Sequence, residues 1–205
     1  MPSASPSSPA GRSLQARRST AHPFWSSVTG EVRRTTWYDD GLDMTAARFA
    51  ATREPLRLGV RPISPRAWSF AGLEDGRLTV AGTADDAGTD AAAEADAERA
   101  VRKVLDLLLP EEALARFVLE PIAEARVRRR LVRSFTARWR EPHDGPAPFG
   151  MRHGGEAFRF RIDVKSGIVV QATAFAAGSV VERVELHRLA ISALDAPPIG
   201  ERILV

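Results

Sequence analysis

The sequence of this 205-residue chain predicts an α+β fold, with helices gathered on one face of an antiparallel sheet. Three observations carry that expectation. Several segments alternate apolar and polar residues with the period of two expected of a half-buried strand. One stretch with helical spacing, and a short companion, stands between two groups of such segments. Turn signals, above all Asp75-Gly76, join neighbouring strands closely enough for antiparallel pairing.

Ser26–Tyr38 is rich in β-branched and aromatic residues, and Asp39–Gly41 closes it as a turn. Residues 42–60 read as one or two strands broken near Pro55. Ala67–Leu73 and Arg77–Gly82 flank the Asp-Gly turn and predict a hairpin. Thr89 or Asp90 can cap a helix over 90–109, with Glu94 and Asp96 near its positive end. Ala97, Val101, Val104, Leu105 and Leu108 form its apolar stripe, and Pro110 ends it. Residues 110–117 predict a second, short helix with Pro in its first turn.

Glu124–Arg140 reads as one strand. Val127, Leu131, Phe135, Ala137 and Trp139 share one parity, while Arg126, Arg128, Arg130, Arg138 and Arg140 share the other. Arg129 and Arg133 break the rule and suggest a bulge or an end effect. After a Pro/Gly loop come strands at about 156–164, 168–175 and 180–191. In the first of these, Phe158, Phe160, Ile162 and Val164 face one way, and Arg159, Arg161 and Asp163 the other.

Hydrophobic residues make up 44% of the chain and charged residues 27%, a globular balance. Residues 1–24 hold Arg12, Arg17 and Arg18 and no acid, so the whole net charge of +3 sits there. That Ser/Pro/Arg-rich segment is expected to be a disordered tail, 25–195 the domain, and 196–205 an irregular tail. The neutral domain disfavours a nucleic-acid partner. Cysteine is absent, and the four histidines lie at no metal-ligand spacing, so neither a thiolate nor a histidine metal site is expected. No nucleophile elbow or phosphate loop occurs; the expectation is a non-enzyme without a catalytic residue or cofactor. Residues 1–24 lack the apolar run of a signal peptide, and no later run reaches membrane-span length, which predicts a cytoplasmic protein without a transmembrane segment.

The order of elements, and "FRFRIDVKSGIVVQATAF" followed by "AAGSVVERVEL", resemble the lipoprotein-carrier (LolA-like) superfamily. That superfamily includes the sensor domains of periplasmic sigma-factor regulators. The resemblance spans roughly residues 27–195, with Asp163 and Gly167 framing a turn of its late hairpin; "LLLPEEALARFVLEPI" fits as well. It implies a curved antiparallel sheet, an incomplete barrel, wrapped around one main helix and a short second helix. It also implies non-enzymatic binding, with space for an acyl chain or lipid between sheet and helix.

The expected function is therefore a binding domain for an apolar or lipid-like ligand, its wall formed by Trp37, Trp68, Leu105, Leu108, Phe158 and Phe160. The alternative is a regulatory or interaction module with a filled core. It would act through a basic sheet face of Arg128, Arg130, Arg138, Arg140, Arg159 and Arg161, toward an acidic protein or an anionic membrane surface.

Overall fold

The computed structural model describes residues 25–64, 66–82, 91–127, 129–141, 147–151 and 155–192. The two expected tails, 1–24 and 196–205, and the expected helix caps Thr89 and Asp90 lie outside the described residues.

Ten strands form one antiparallel sheet: β1 (Ser27–Tyr38), β2 (Gly41–Thr52), β3 (Arg57–Pro62), β4 (Trp68–Glu74), β5 (Arg77–Gly82), β6 (Phe117–Val127), β7 (Arg130–Trp139), β8 (Ala157–Asp163), β9 (Val169–Ala176) and β10 (Ser179–Ser192). Their spatial order is β5-β4-β3-β2-β1-β10-β9-β8-β7-β6. Each half is a meander, and the first and last strands join the halves. Among the described residues the end strands, β5 and β6, do not pair. The sheet is therefore an open one around the main helix α1 (Ala91–Leu108), with the short α2 (Glu111–Ala115) after it. This is the α+β architecture the sequence predicts.

Alternation sets which face is buried. Along β1, Val28, Val32, Arg34 and Thr36 turn toward the helix and are buried. Their partners across the central joint are Ile191, Leu186, Val184 and Glu182. The β4–β5 turn is tight because Asp75 and Gly76 both adopt positive φ (49° and 75°), which suits the twist of a two-residue hairpin. On α1, Ala93, Ala97, Val101, Val104, Leu107 and Leu108 are buried, and Trp25 donates its indole N–H to the Leu108 carbonyl at 3.4 Å. The chain thus anchors its described start on the end of the helix.

One element expectation is corrected. Residues 124–140 are not a single strand but parts of β6 and β7, folded back at Arg129 (φ 67°). Phe117 begins β6 instead of ending the short helix. The reason is exposure: β6 is an edge strand, solvent-exposed from Glu120 to Arg126, so burial imposes no apolar alternation on it. Its Pro121, beside a register shift, is tolerated because an edge strand has one unpaired side.

Candidate functional site

The concave face is closed differently in its two halves. Over β6–β9 it is filled by rings. Phe117 stacks on Trp139 at 4.5 Å between centroids and meets Phe158 and Phe160 edge-on at 4.9 and 5.0 Å. Phe149, from the turn Pro148–Gly150, seals this cluster against Phe160 at 5.1 Å. Its backbone holds a positive φ of 63°, and its N–H donates to Asp106 of α1 at 2.7 Å. Burial raises the Asp106 carboxyl above the usual range, and that hydrogen bond opposes the rise. This half is solid core.

Over β1–β5 the cover is α1, and space remains on both flanks of the helix. Toward the β4–β5 hairpin lies a groove of about 490 Å³. Leu56, Leu73, Leu78, Val101, Leu105 and Leu109 form its apolar walls, and Glu98, Arg102, Asp106 and Glu112 its rim. The helical period explains it. Leu108 belongs to the fully buried stripe, while Leu105 stands at the edge of that stripe and is only half-buried. The rim sets three carboxylates against one guanidinium, and Arg102 pairs with Glu98 at 3.6 Å.

On the other flank, toward β1 and β2, is a polar cleft of about 40 Å³, lined by Arg34, Arg66, Trp68, Asp96, Arg99 and Lys103 among others. Asp96 organises one end. It accepts hydrogen bonds from the Trp68 indole at 3.0 Å and from Arg66 at 2.9 Å, and pairs with Arg99 at 3.5 Å. Burial would raise its carboxyl, but the Trp68 hydrogen bond and the two guanidinium charges outweigh it and hold the group below the usual range. At the other end Arg34 and Glu182 form an ion pair inside the core, with side chains 3% and 0% exposed. Burial, with the charges of Arg34 and Arg66 next, lowers the Lys103 ammonium to about 8, against the attraction of Asp96 and Glu182. The Lys103 stem lies where a side chain on Gly150 would be: a Cβ there would come within 2.7 Å of Lys103 Cε, and Gly150 has a φ of 65°.

The structure does not bring the six expected wall residues together. Phe158 and Phe160 belong to the ring cluster, Leu108 to the core under the helix, Trp68 to the polar cleft and Leu105 to the groove. Trp37 is on the opposite, convex face, with Arg183 stacked over its ring at 5.4 Å. The groove residues Leu73, Leu78 and Leu109 escaped sequence reasoning, although Leu109 continues the i, i+4 row from Leu105. Asp96, Arg99 and Lys103 escaped it too, because charges in mid-helix read as a solvated face. Of the expected basic patch, Arg138 and Arg159 are exposed on the convex face, and Arg159 lies over Phe175 at 5.6 Å. Arg161 donates to Gln171, Arg130 pairs with Asp163 at the far end of β7, and Arg140 donates to the carbonyls of Ala115 and Phe117. Arg128 lies outside the described residues.

No family model matches the chain, and no curated protein matches its sequence. Solved structures do match. MucB superposes with a TM-score of 0.58 at 17% identity, over 94% of this chain and 62% of that one. The fold is that of MucB. MucB in complex with MucA(peri) gives a TM-score of 0.52 at 16% identity, over 94% of this chain and 57% of that one. An uncharacterized conserved protein from Thermus thermophilus gives 0.50 at 9% identity, over 90% and 89%. At such identities the likeness concerns the fold alone, and the chain spans less than two thirds of the MucB chain. The match to MucB corrects one expectation. MucB is solved in complex with MucA(peri), a periplasmic partner, which points away from the cytoplasmic location inferred from residues 1–24. That inference rested on a missing apolar run in a segment outside the described residues. Among the described residues no helix is long and apolar enough to cross a membrane.

Proposed function

We propose that this chain is a non-enzymatic binding domain that takes an apolar or lipid-like ligand in the groove between α1 and the β4–β5 hairpin. One observation carries the reading: Leu105 stands half-buried among Leu56, Leu73, Leu78, Val101 and Leu109, around a space of about 490 Å³. A ligand there gains about 25 cal/mol for each Å² of apolar surface removed from water. The carboxylates around the rim favour a ligand whose polar end is neutral or cationic. Trp68, Phe158 and Phe160 then serve as the support that holds helix and sheet at their spacing. The test is native mass spectrometry of protein purified from its host, beside Leu105→Gln purified the same way. A bound apolar mass that the variant loses supports the reading; an empty parent protein counts against it.

A second reading, an interaction module, draws on a different surface. Three Arg side chains lie over rings on the convex face: Arg61 over Phe70, Arg159 over Phe175 and Arg183 over Trp37, at 5.4–5.6 Å. Guanidinium groups fixed on aromatic faces suit an acidic protein partner. MucB, which shares this fold over 54% of its chain, is solved in a complex with MucA, and that supports a protein partner as the alternative. Charge reversal at Arg159 and Arg183 that abolishes co-purification of a protein, without touching apolar binding, would favour it.

A further inference from the structure

We infer that the polar cleft on the other flank of α1 is a binding site for a compact oxyanion, a carboxylate or a phosphate- or sulfate-like group, held by Arg34, Arg66 and Lys103. The inference is independent of the apolar groove, which lies across the helix and has the opposite charge at its rim.

Charge balance is the first ground. Four cationic side chains, Arg34, Arg66, Arg99 and Lys103, line a cleft in which Asp96 is the one lining carboxylate among the described residues. Asp96 is already engaged by Trp68, Arg66 and Arg99. Glu182 engages Arg34 from the core side through Nε. The second ground is a buried donor. Arg34 is 3% exposed, yet its Nη2 has no acceptor among the described residues. Leaving a buried guanidinium N–H without an acceptor is costly, and it is the donor geometry that carboxylates and phosphates take up in bidentate fashion. Lys103 gives the third: it lines the same cleft, and burial first, then the charges of Arg34 on β1 and Arg66 ahead of β4, disfavour its ammonium against the pull of Asp96 on its own helix and Glu182 of β10. An anion in the cleft would screen this repulsion and accept from both Arg34 and Lys103. The small volume, about 40 Å³, suits a group of a few heavy atoms and not a chain. Trp68, whose indole N–H is fixed on Asp96 at the cleft wall, is a built-in reporter.

The experiment follows the four indole N–H resonances of the full chain by NMR during titration with sodium sulfate, whose charge is constant across the working pH range. A parallel titration with sodium acetate distinguishes a carboxylate site from a tetrahedral-oxyanion site. The expected result is a saturable shift of the Trp68 indole with at least one of the two salts, while Trp37 and Trp139 stay in place. Lys103→Met and Arg66→Met keep the side-chain stems and should each weaken that binding by about tenfold. Sulfate binding should also weaken as pH rises through about 8 in the parent, because Lys103 loses its proton there, and not in Lys103→Met. Arg34→Met would break the buried ion pair with Glu182 and confound folding with binding, so the two other variants carry the test. Shifts that grow linearly on all indoles, no shift with either salt, or unchanged affinity in Lys103→Met would overturn the site.

Discussion

The two flanks of α1 are cut from one helix and differ in almost every respect. One is a narrow cationic cleft of about 40 Å³, and the other a wide apolar groove of about 490 Å³ with an acidic rim. The i, i+3, i+4, i+7 rows of a helix explain how both arise. Asp96, Arg99, Ala100 and Lys103 form one row, Val101, Leu105 and Leu109 another, and the buried stripe of Ala97, Val104 and Leu108 runs between. The sheet completes each flank with matching chemistry: Arg34 beside the first, and Leu73 and Leu78 beside the second. The core stripe and the ring cluster close the interior, and the open space is left along the edges of the helix.

The largest expected effect tests the closed part. Phe160→Ala should destabilise by about 3–5 kcal/mol in chemical denaturation, because it removes a fully buried ring that touches Phe117, Phe149 and Phe158. Leu108→Ala should cost about 2–5 kcal/mol for the same reason, whereas Leu105→Ala should cost only about 1 kcal/mol, since the groove already exposes part of its surface. Equal costs for the two leucines would erase the distinction between core stripe and groove.

The polar flank makes a subtler prediction. The unfolded Lys103 titrates near 10.5 and the folded one at about 8, so between these values the unfolded chain holds more protons. Lys103 therefore makes stability rise with pH over that window, and its penalty is fully present below pH 8. The thermal midpoint of the parent, measured from pH 8 to 10.5, should climb relative to Lys103→Met. A parallel course in both proteins would show that burial and the neighbouring guanidinium charges do not hold the ammonium below its ordinary range. The smallest effect belongs to the hairpin surface: Arg57→Ala breaks a 2.8 Å pair with Glu74 whose partners are 60% and 59% exposed, and should change stability by about 0–1 kcal/mol.

Much of the fold was legible in the sequence because burial wrote it there. The alternation in Phe158–Asp163, the Asp75-Gly76 turn and the stripe from Ala97 to Leu108 each reflect one face meeting the core. β6 was not legible for the converse reason: as an exposed edge it carries no pattern, and the positive φ ahead of β7 falls on Arg129, not on the Gly or Asn that marks most tight turns. The site was less legible still. Trp37 and Trp68 look alike in sequence, yet the sheet sends one to the convex face under Arg183 and the other to Asp96. Leu105 and Leu108 read as one stripe by spacing; Leu105 lies at its edge, and where the β4–β5 hairpin sits leaves that edge open as the groove. Arg34 offers no local hint of its burial; its partner Glu182 is far along the chain and meets it only through the β1–β10 joint.

The proposal stands or falls on whether the groove beside Leu105 takes an apolar ligand while the convex face and the ring-filled half do not. Its most direct test is a fluorescence titration with N-phenyl-1-naphthylamine, a neutral apolar probe, against the parent, Leu105→Gln and Trp37→Ala. The expected result is saturable binding by the parent, a loss of about tenfold or more in Leu105→Gln with little change in thermal midpoint, and parental affinity in Trp37→Ala. Parental affinity in Leu105→Gln, or loss of binding in Trp37→Ala alone, would contradict it.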